Sequence, residues 1–252
     1  MHTNNYWIAY FRQNLQKQRI NWQLEPNISP EETSVILKSL QAWQLGETSE
    51  GRQLIAASEK YALKTNQSDY VDAIRLFIRE EQKHGNNLGM YLDRIGKPRV
   101  KKDWGDSLFR KVRHLNTSME SWTLAVITVE SAAQIFYQAL KDATGCGLLK
   151  QICTDILIDE AYHITFQTER LAAIFLNKTP FEKSWRRVLY KYFFMSTSLL
   201  IWFANRRLFK AGGNTFGIYM KKMRLKYVRT VRKATLKSTT KNINRILLKY
   251  EY

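Results

Sequence analysis

Glu-x-x-His occurs twice in this chain, as Glu81–His84 within Arg79-Glu80-Glu81-Gln82-Lys83-His84 and as Glu160–His163 within Ile158-Asp159-Glu160-Ala161-Tyr162-His163. On a helix, this spacing puts a carboxylate and an imidazole one turn apart on the same face. A lone glutamate precedes each copy at nearly the same distance: Glu50 lies 31 residues before Glu81, and Glu130 lies 30 residues before Glu160. With 14 Glu and four His in 252 residues, chance alone would produce about 0.2 such pairs, so two phased copies are a specific signal.

The surrounding pattern is helical. Ser29-Pro30-Glu31-Glu32 reads as a helix start, with an N-cap serine, a first-turn proline and acids that suit the helix dipole. Ile36, Leu40, Trp43, Glu47, Glu50, Leu54, Ala57 and Tyr61 then form one stripe, predicting a single first helix that ends at Thr65–Asp69. Ile74, Phe77, Glu81, His84, Leu88 and Tyr91 form a second stripe, stopped by Gly96-Lys97-Pro98. A third helix is expected from about Asp106 to Ala143, bent or divided, and a fourth from about Leu148 to Leu176. Each hairpin turn, near residues 65–67 and 145, falls about midway between a lone Glu and its Glu-x-x-His, so all the acids reach one height when the helices fold back. The fold class is all-α: a four-helix bundle over residues 31–180, preceded by a helix and connector in 1–30 and followed by a helical extension in 181–252.

Four carboxylates and two imidazoles converging in a bundle core require counter-ions, because buried unpaired charge is costly. Two divalent metals would neutralise them, and this oxygen and nitrogen donor set suits iron or manganese. One Glu from each of two helices, plus Glu-x-x-His from each of the other two, resembles the ferritin-like superfamily of non-haem di-iron (di-metal) carboxylate proteins, over residues 33–176.

The resemblance implies that Glu50, Glu81, His84, Glu130, Glu160 and His163 hold two iron ions, or iron and manganese, with Glu81 and Glu160 as bridges. Glu80 and Asp159 would each accept the distal N–H of the opposite hairpin's histidine. Glu47 shares the stripe of Glu50 and could replace it as ligand; the match to Glu130 favours Glu50. Phe77, Tyr137, Phe136, Phe166 and Tyr162 are candidates for a substrate cavity, and Tyr162 and Tyr137 also for redox relays, although bundle packing accounts for each taken singly. His2 and His114 have no partner at ligand spacing and read as surface histidines. Cys146 and Cys153 read as structural, since two cysteines cannot build a four-cysteine site.

Among the activities of that superfamily, iron storage fits poorly with a 72-residue basic extension. A rubrerythrin-like peroxidase usually carries a Cys-rich electron-transfer domain. The resemblance therefore points to an oxidase or oxygenase acting on O2 and a small organic, apolar substrate, with electrons from a ferredoxin or reductase. The rival is a non-enzymatic metal-binding or membrane-associated protein on the same scaffold.

The charge locates a separate feature. Of a net +18, nearly all falls in residues 181–252, where 18 Lys and Arg face only Glu182 and Glu251. Tyr192–Ala204 is apolar but, at about 13 residues, short of a membrane span. It reads as a fifth helix closing the bundle or as an interfacial helix. Beyond Gly212-Gly213, residues 216–252 are cationic and partly amphipathic. An anionic membrane leaflet or an acidic protein is the expected partner; nucleic acid is not, because no motif for it appears. The N-terminus lacks a secretory pattern, so the expected location is cytoplasmic, peripheral at a membrane, with a homodimer as one assembly state.

Overall fold

The structure is a computed structural model describing residues 1–102 and 118–236, and it is helical without strands among them. In chain order the helices are α1 (Asn4–Leu15), α2 (Pro30–Glu47), α3 (Arg52–Thr65), α4 (Asp69–Arg94), α5 (Met119–Asp142), α6 (Gly147–Leu176), α7 (Pro180–Ala211) and α8 (Phe216–Tyr227). A π-helical turn, Val228–Arg232, and a last helical turn, Lys233–Leu236, extend α8. The expected start of the third helix, about Asp106 to Thr117, lies outside the described residues, as do His114 and residues 237–252.

Local chemistry explains where these helices begin. Ser29 and Glu32 close a capping box at the head of α2, with the Ser29 hydroxyl accepting from the Glu32 N–H at 3.1 Å and the Glu32 carboxylate accepting from the Ser29 N–H at 3.1 Å. Thr179, Pro180 and Glu182 repeat this at the head of α7. Ser118 caps α5.

The stripe from Ile36 to Tyr61 is two helices rather than one. α2 ends at Glu47, and the chain crosses Thr48–Gly51 before α3 begins, with Gly51 in the left-handed region at φ 62°. A straight helix would have carried Glu50 inward about one turn after Glu47. The break instead turns Glu50 outward, where it pairs with Arg52 at 2.5 Å and is mostly exposed.

The core is built in two apolar clusters that α4 joins. Tyr70, Ala73, Ile74 and Phe77 pack with Trp7, Phe11 and Phe166 at one end, and Leu88, Tyr91 and Leu92 pack with α2, α5 and α6 at the other. Between them on α4 lie Glu80, Glu81 and His84. The basic segment is packed onto the same core: Tyr190, Phe194, Trp202, Phe209, Tyr219 and Met223 belong to the larger cluster.

Gly85 sets the height of Glu47. A Cβ at Gly85 would lie 2.8 Å from Thr48 Cγ2 and 3.0 Å from the Glu47 carbonyl carbon. The bare glycine lets the end of α2 rest against α4 beside His84, and the Gln44 side-chain amide donates to the Gly85 carbonyl at 3.3 Å. Gly85→Ala is expected to destabilise the protein by about 1–3 kcal/mol through overpacking against backbone. Gly46→Ala, where a Cβ meets nothing within 4 Å, should leave stability unchanged or slightly raised. Urea unfolding of the two variants checks the pair, and equal effects would contradict the close approach.

Candidate metal centre

Four helices deliver one ligand-type cluster. α2 contributes Glu47, α4 contributes Glu81 and His84, α5 contributes Glu130, and α6 contributes Glu160 and His163. Two groups share Glu81: Glu47, Glu81 and His84 form one, and Glu81, Glu130, Glu160 and His163 form the other, each offering donor atoms within 4.8 Å of one another. Glu160 also faces His84, with Oε1 3.9 Å from Nδ1. Through Glu81, and through the reach of Glu160 toward both histidines, the two groups form one continuous set of donors.

Of the six residues named from the resemblance, five meet here and Glu50 does not. Glu47, one turn earlier, stands in its place, because α2 stops at Glu47 and the Thr48–Gly51 break turns the next residues away.

The second ring of contacts orients the imidazoles. His163 Nε2 lies 2.7 Å from Glu80 Oε2, and His84 Nε2 lies 3.1 Å from Asp159 Oδ2. Each carboxylate comes from the opposite hairpin. With N–H donated at Nε2, each ring keeps its Nδ1 lone pair for the centre. The two rings stand 5.7 Å apart, centroid to centroid.

Asn14 of α1 ties these two carboxylates together. Its amide nitrogen donates to Glu80 Oε1 at 2.5 Å and to Asp159 Oδ1 at 2.8 Å. Its carbonyl oxygen accepts from Arg19, which also binds Asp155 at 2.5 Å and Asp159 at 2.9 Å. One N-terminal amide therefore spans the supports of both histidines. Asn14 follows Trp7 and Phe11 on the buried face of α1, and that spacing is the signal that could have found it. Nothing in the sequence singles out Arg19 or Asp155.

The proposed cavity residues divide. Phe77 sets its ring edge-on to His163 at 4.8 Å, and Phe166 packs beside Phe77 and Phe11. Tyr137 donates to Glu47 Oε1 at 2.6 Å. Phe136 stacks on Trp43, 4.3 Å away, in the general core. Tyr162 is a correction: it points outward, half exposed, and stacks on Tyr10 at 4.4 Å, because its position on α6 is turned away from the face that carries Glu160 and His163.

The electrostatics call for cations. Burial, and then the like charges of Glu81 and Glu160, hold Glu47 well above the usual carboxylate range. Burial and the neighbouring Glu160 and Glu81 do the same to Glu130. Burial also opposes charge on Glu81, but His163 and His84 outweigh it and hold that carboxyl low, at about 2. Burial likewise disfavours the His163 cation, yet the surrounding Glu81, Glu160 and Glu80 push its pKa well up. Glu81 Oε1, His84 Nδ1, both Glu160 oxygens and His163 Nδ1 are among the buried side-chain atoms that lack a hydrogen bond. Glu81 Oε1 and His163 Nδ1 face each other at 2.7 Å, while leaving His84 Nδ1 and the Glu160 oxygens unpaired costs about 1–3 kcal/mol each, more when charged. A pair of divalent cations satisfies the whole set, and the oxygen-rich, two-imidazole composition fits iron or manganese.

No family model matches the chain, and no curated protein matches it. Solved structures do. The chain is similar to a tyrosine-to-phenylalanine variant of an R2-like ligand-binding oxidase with an anaerobically reconstituted Mn/Fe cofactor, at 14% identity and TM-score 0.58, covering 89% of this chain and 92% of that one. An alanine-to-phenylalanine variant of an R2-like ligand-binding oxidase matches at 16% identity and TM-score 0.56, over 94% and 90%. A valine-to-leucine variant matches at 15% identity and TM-score 0.55, over 94% and 92%. The chain shares the ferritin-like helical-bundle fold of these structures.

Two outcomes follow from this geometry. Glu47, Glu130, His84 and His163 all have raised values in the folded chain, so their contribution to stability is present at low pH and lost as pH rises through those values. Glu81 and Asp159 are depressed and act oppositely, losing their contribution only as pH falls through the acid range. Metal-free protein should therefore show a Tm that declines as pH rises above the ordinary carboxylate range, and saturating Mn2+ should flatten the decline; a flat metal-free profile would contradict the cluster. Asn14→Leu should weaken Mn2+ binding by about tenfold, read by competitive chelator titration. Asn14→Gln, which keeps the amide, should recover part of the loss; wild-type affinity in Asn14→Leu would contradict the clamp.

Proposed function

We propose that this protein is a non-haem di-metal oxidase or oxygenase, using two iron ions or an iron and a manganese ion to activate O2 for oxidation of an organic, apolar substrate. The observation that carries the reading is the buried cluster of Glu47, Glu81, His84, Glu130, Glu160 and His163, brought together from four helices in two groups that share Glu81. The fold shared with R2-like ligand-binding oxidases supports it, as does the Mn/Fe cofactor of those proteins.

The metal pair, when bound, would supply the reduction of O2 coupled to substrate oxidation. The chain's own groups do the rest. Glu47, Glu81, Glu130, Glu160, His84 and His163 would hold the ions. Glu80 and Asp159 hold the imidazole N–H groups, so each ring presents the same nitrogen inward. Tyr137 orients Glu47 through its hydroxyl. Phe77, Phe166 and Phe11 form an apolar wall beside His163 that excludes water and favours an apolar substrate. An external ferredoxin or reductase would deliver the electrons.

Metal analysis of purified protein should find about two transition-metal ions per chain, with Glu81→Ala and His163→Ala each retaining a small fraction. The chemically reduced, iron-loaded wild type should then consume O2 faster than free ferrous ion at the same concentration. Wild-type metal content in both variants would remove the site. Full metal content with no protein-dependent O2 uptake would remove the oxidase reading and leave a metal-binding scaffold.

A further inference from the structure

α7 is apolar on two faces, and the core explains only one. Tyr190, Phe194, Trp202 and Phe209 face inward and are buried. On the opposite side Trp185, Val188, Leu189, Tyr192, Leu200 and Phe203 are all exposed, Tyr192 at 71% and Phe203 at 61%. Their spacing of three, four or a multiple of that repeat places them on one stripe. Beyond a kink at Asn205 (φ −120°, ψ 18°) the helix continues to Arg206, Arg207 and Lys210, all exposed.

A lone apolar side chain at the surface is ordinary; a row running about 27 Å along one helix (18 residues at about 1.5 Å each) marks an interaction surface. Its composition narrows the partner. Glu182 is the one acid among residues 181–236, against 14 Lys and Arg. A second copy docked through this stripe would bring like charges together. An anionic lipid surface would instead receive the aromatic and aliphatic side chains at the headgroup boundary and neutralise the cations at the stripe's end. No helix among the described residues is long and apolar enough to cross a membrane, so α7 would lie flat.

We propose that the outer face of α7, from Trp185 to Lys210, docks this protein on an anionic membrane surface. This stands independently of the di-metal reading, since none of these residues touches the metal cluster.

Co-sedimentation of the full chain with phosphatidylcholine vesicles, with and without phosphatidylserine, tests it. The wild type should bind the phosphatidylserine vesicles and release partly at high salt. Tyr192→Ser combined with Phe203→Ser, and separately Arg206→Gln, Arg207→Gln and Lys210→Gln together, should each weaken binding by at least about tenfold. Lys60→Gln with Lys64→Gln, a charge loss on exposed α3, should bind as the wild type does. Circular dichroism and Tm confirm that each variant is folded. The proposal is overturned if the wild type ignores anionic vesicles at low salt, if the Tyr192/Phe203 variant binds equally, or if the α3 variant loses as much as the α7 charge variant. It is also overturned if sedimentation equilibrium shows a dimer that the Tyr192/Phe203 variant dissolves without any vesicle binding, because a second copy then covers the face; salt-sensitive binding to an acidic protein with no vesicle binding overturns it as well.

Discussion

A cluster of carboxylates and imidazoles buried at the centre of an otherwise apolar bundle is the constraint on which the rest of this molecule depends. Glu160 and His163 are fully buried, both Glu160 oxygens lack a hydrogen bond, and burial together with the neighbouring carboxylates raises the proton affinity of Glu47 and Glu130. Hydrophobic burial drives the helices together, and the same closure makes isolated charge intolerable. Metal-free, the cluster relieves this by keeping protons on Glu47 and Glu130; cations relieve it by replacing those protons, so metal affinity and protonation are linked.

The scaffold around the cluster resolves into devices that hold it in place. Gly85 lets α2 rest on α4 so that Glu47 reaches Glu81. Glu80 and Asp159 cross between hairpins to fix the histidines, and Asn14 and Arg19 fasten those two acids to the N-terminal segment. The N-terminal helix is therefore part of the centre. Its buried Phe11 joins the apolar wall beside His163, with Trp7 packed behind it, and its one buried amide bridges the outer carboxylates.

Much of the centre was readable from residue spacing because helical geometry converts spacing directly into direction. Glu-x-x-His twice, each with an acid immediately before the Glu, places ligands inward and their supports one residue round the helix. Glu50 failed for the same reason that the others succeeded. Reading it inward assumes an unbroken 3.6-residue period from Ile36 to Tyr61, and the Thr48–Gly51 interruption resets that period. Gly51, free to adopt a positive φ, was the local sign of the break. Tyr162 was placed by proximity in sequence rather than by face, and it points outward. Arg19 and Asp155 meet across 136 residues, through packing that no local pattern encodes. The long apolar run in α7 identified a helix but not which of its faces would be left uncovered.

The central claim is that two metal ions sit between Glu47, Glu81, His84, Glu130, Glu160 and His163, with Glu81 shared. Anomalous diffraction from crystals of the metal-loaded protein, collected at the iron and manganese edges, tests it most directly. Two adjacent peaks, one beside Glu47 and His84 and the other beside Glu130 and His163, are the result this account predicts. A single peak, a peak coordinated by Glu50 instead of Glu47, or no peak within the cluster would contradict it.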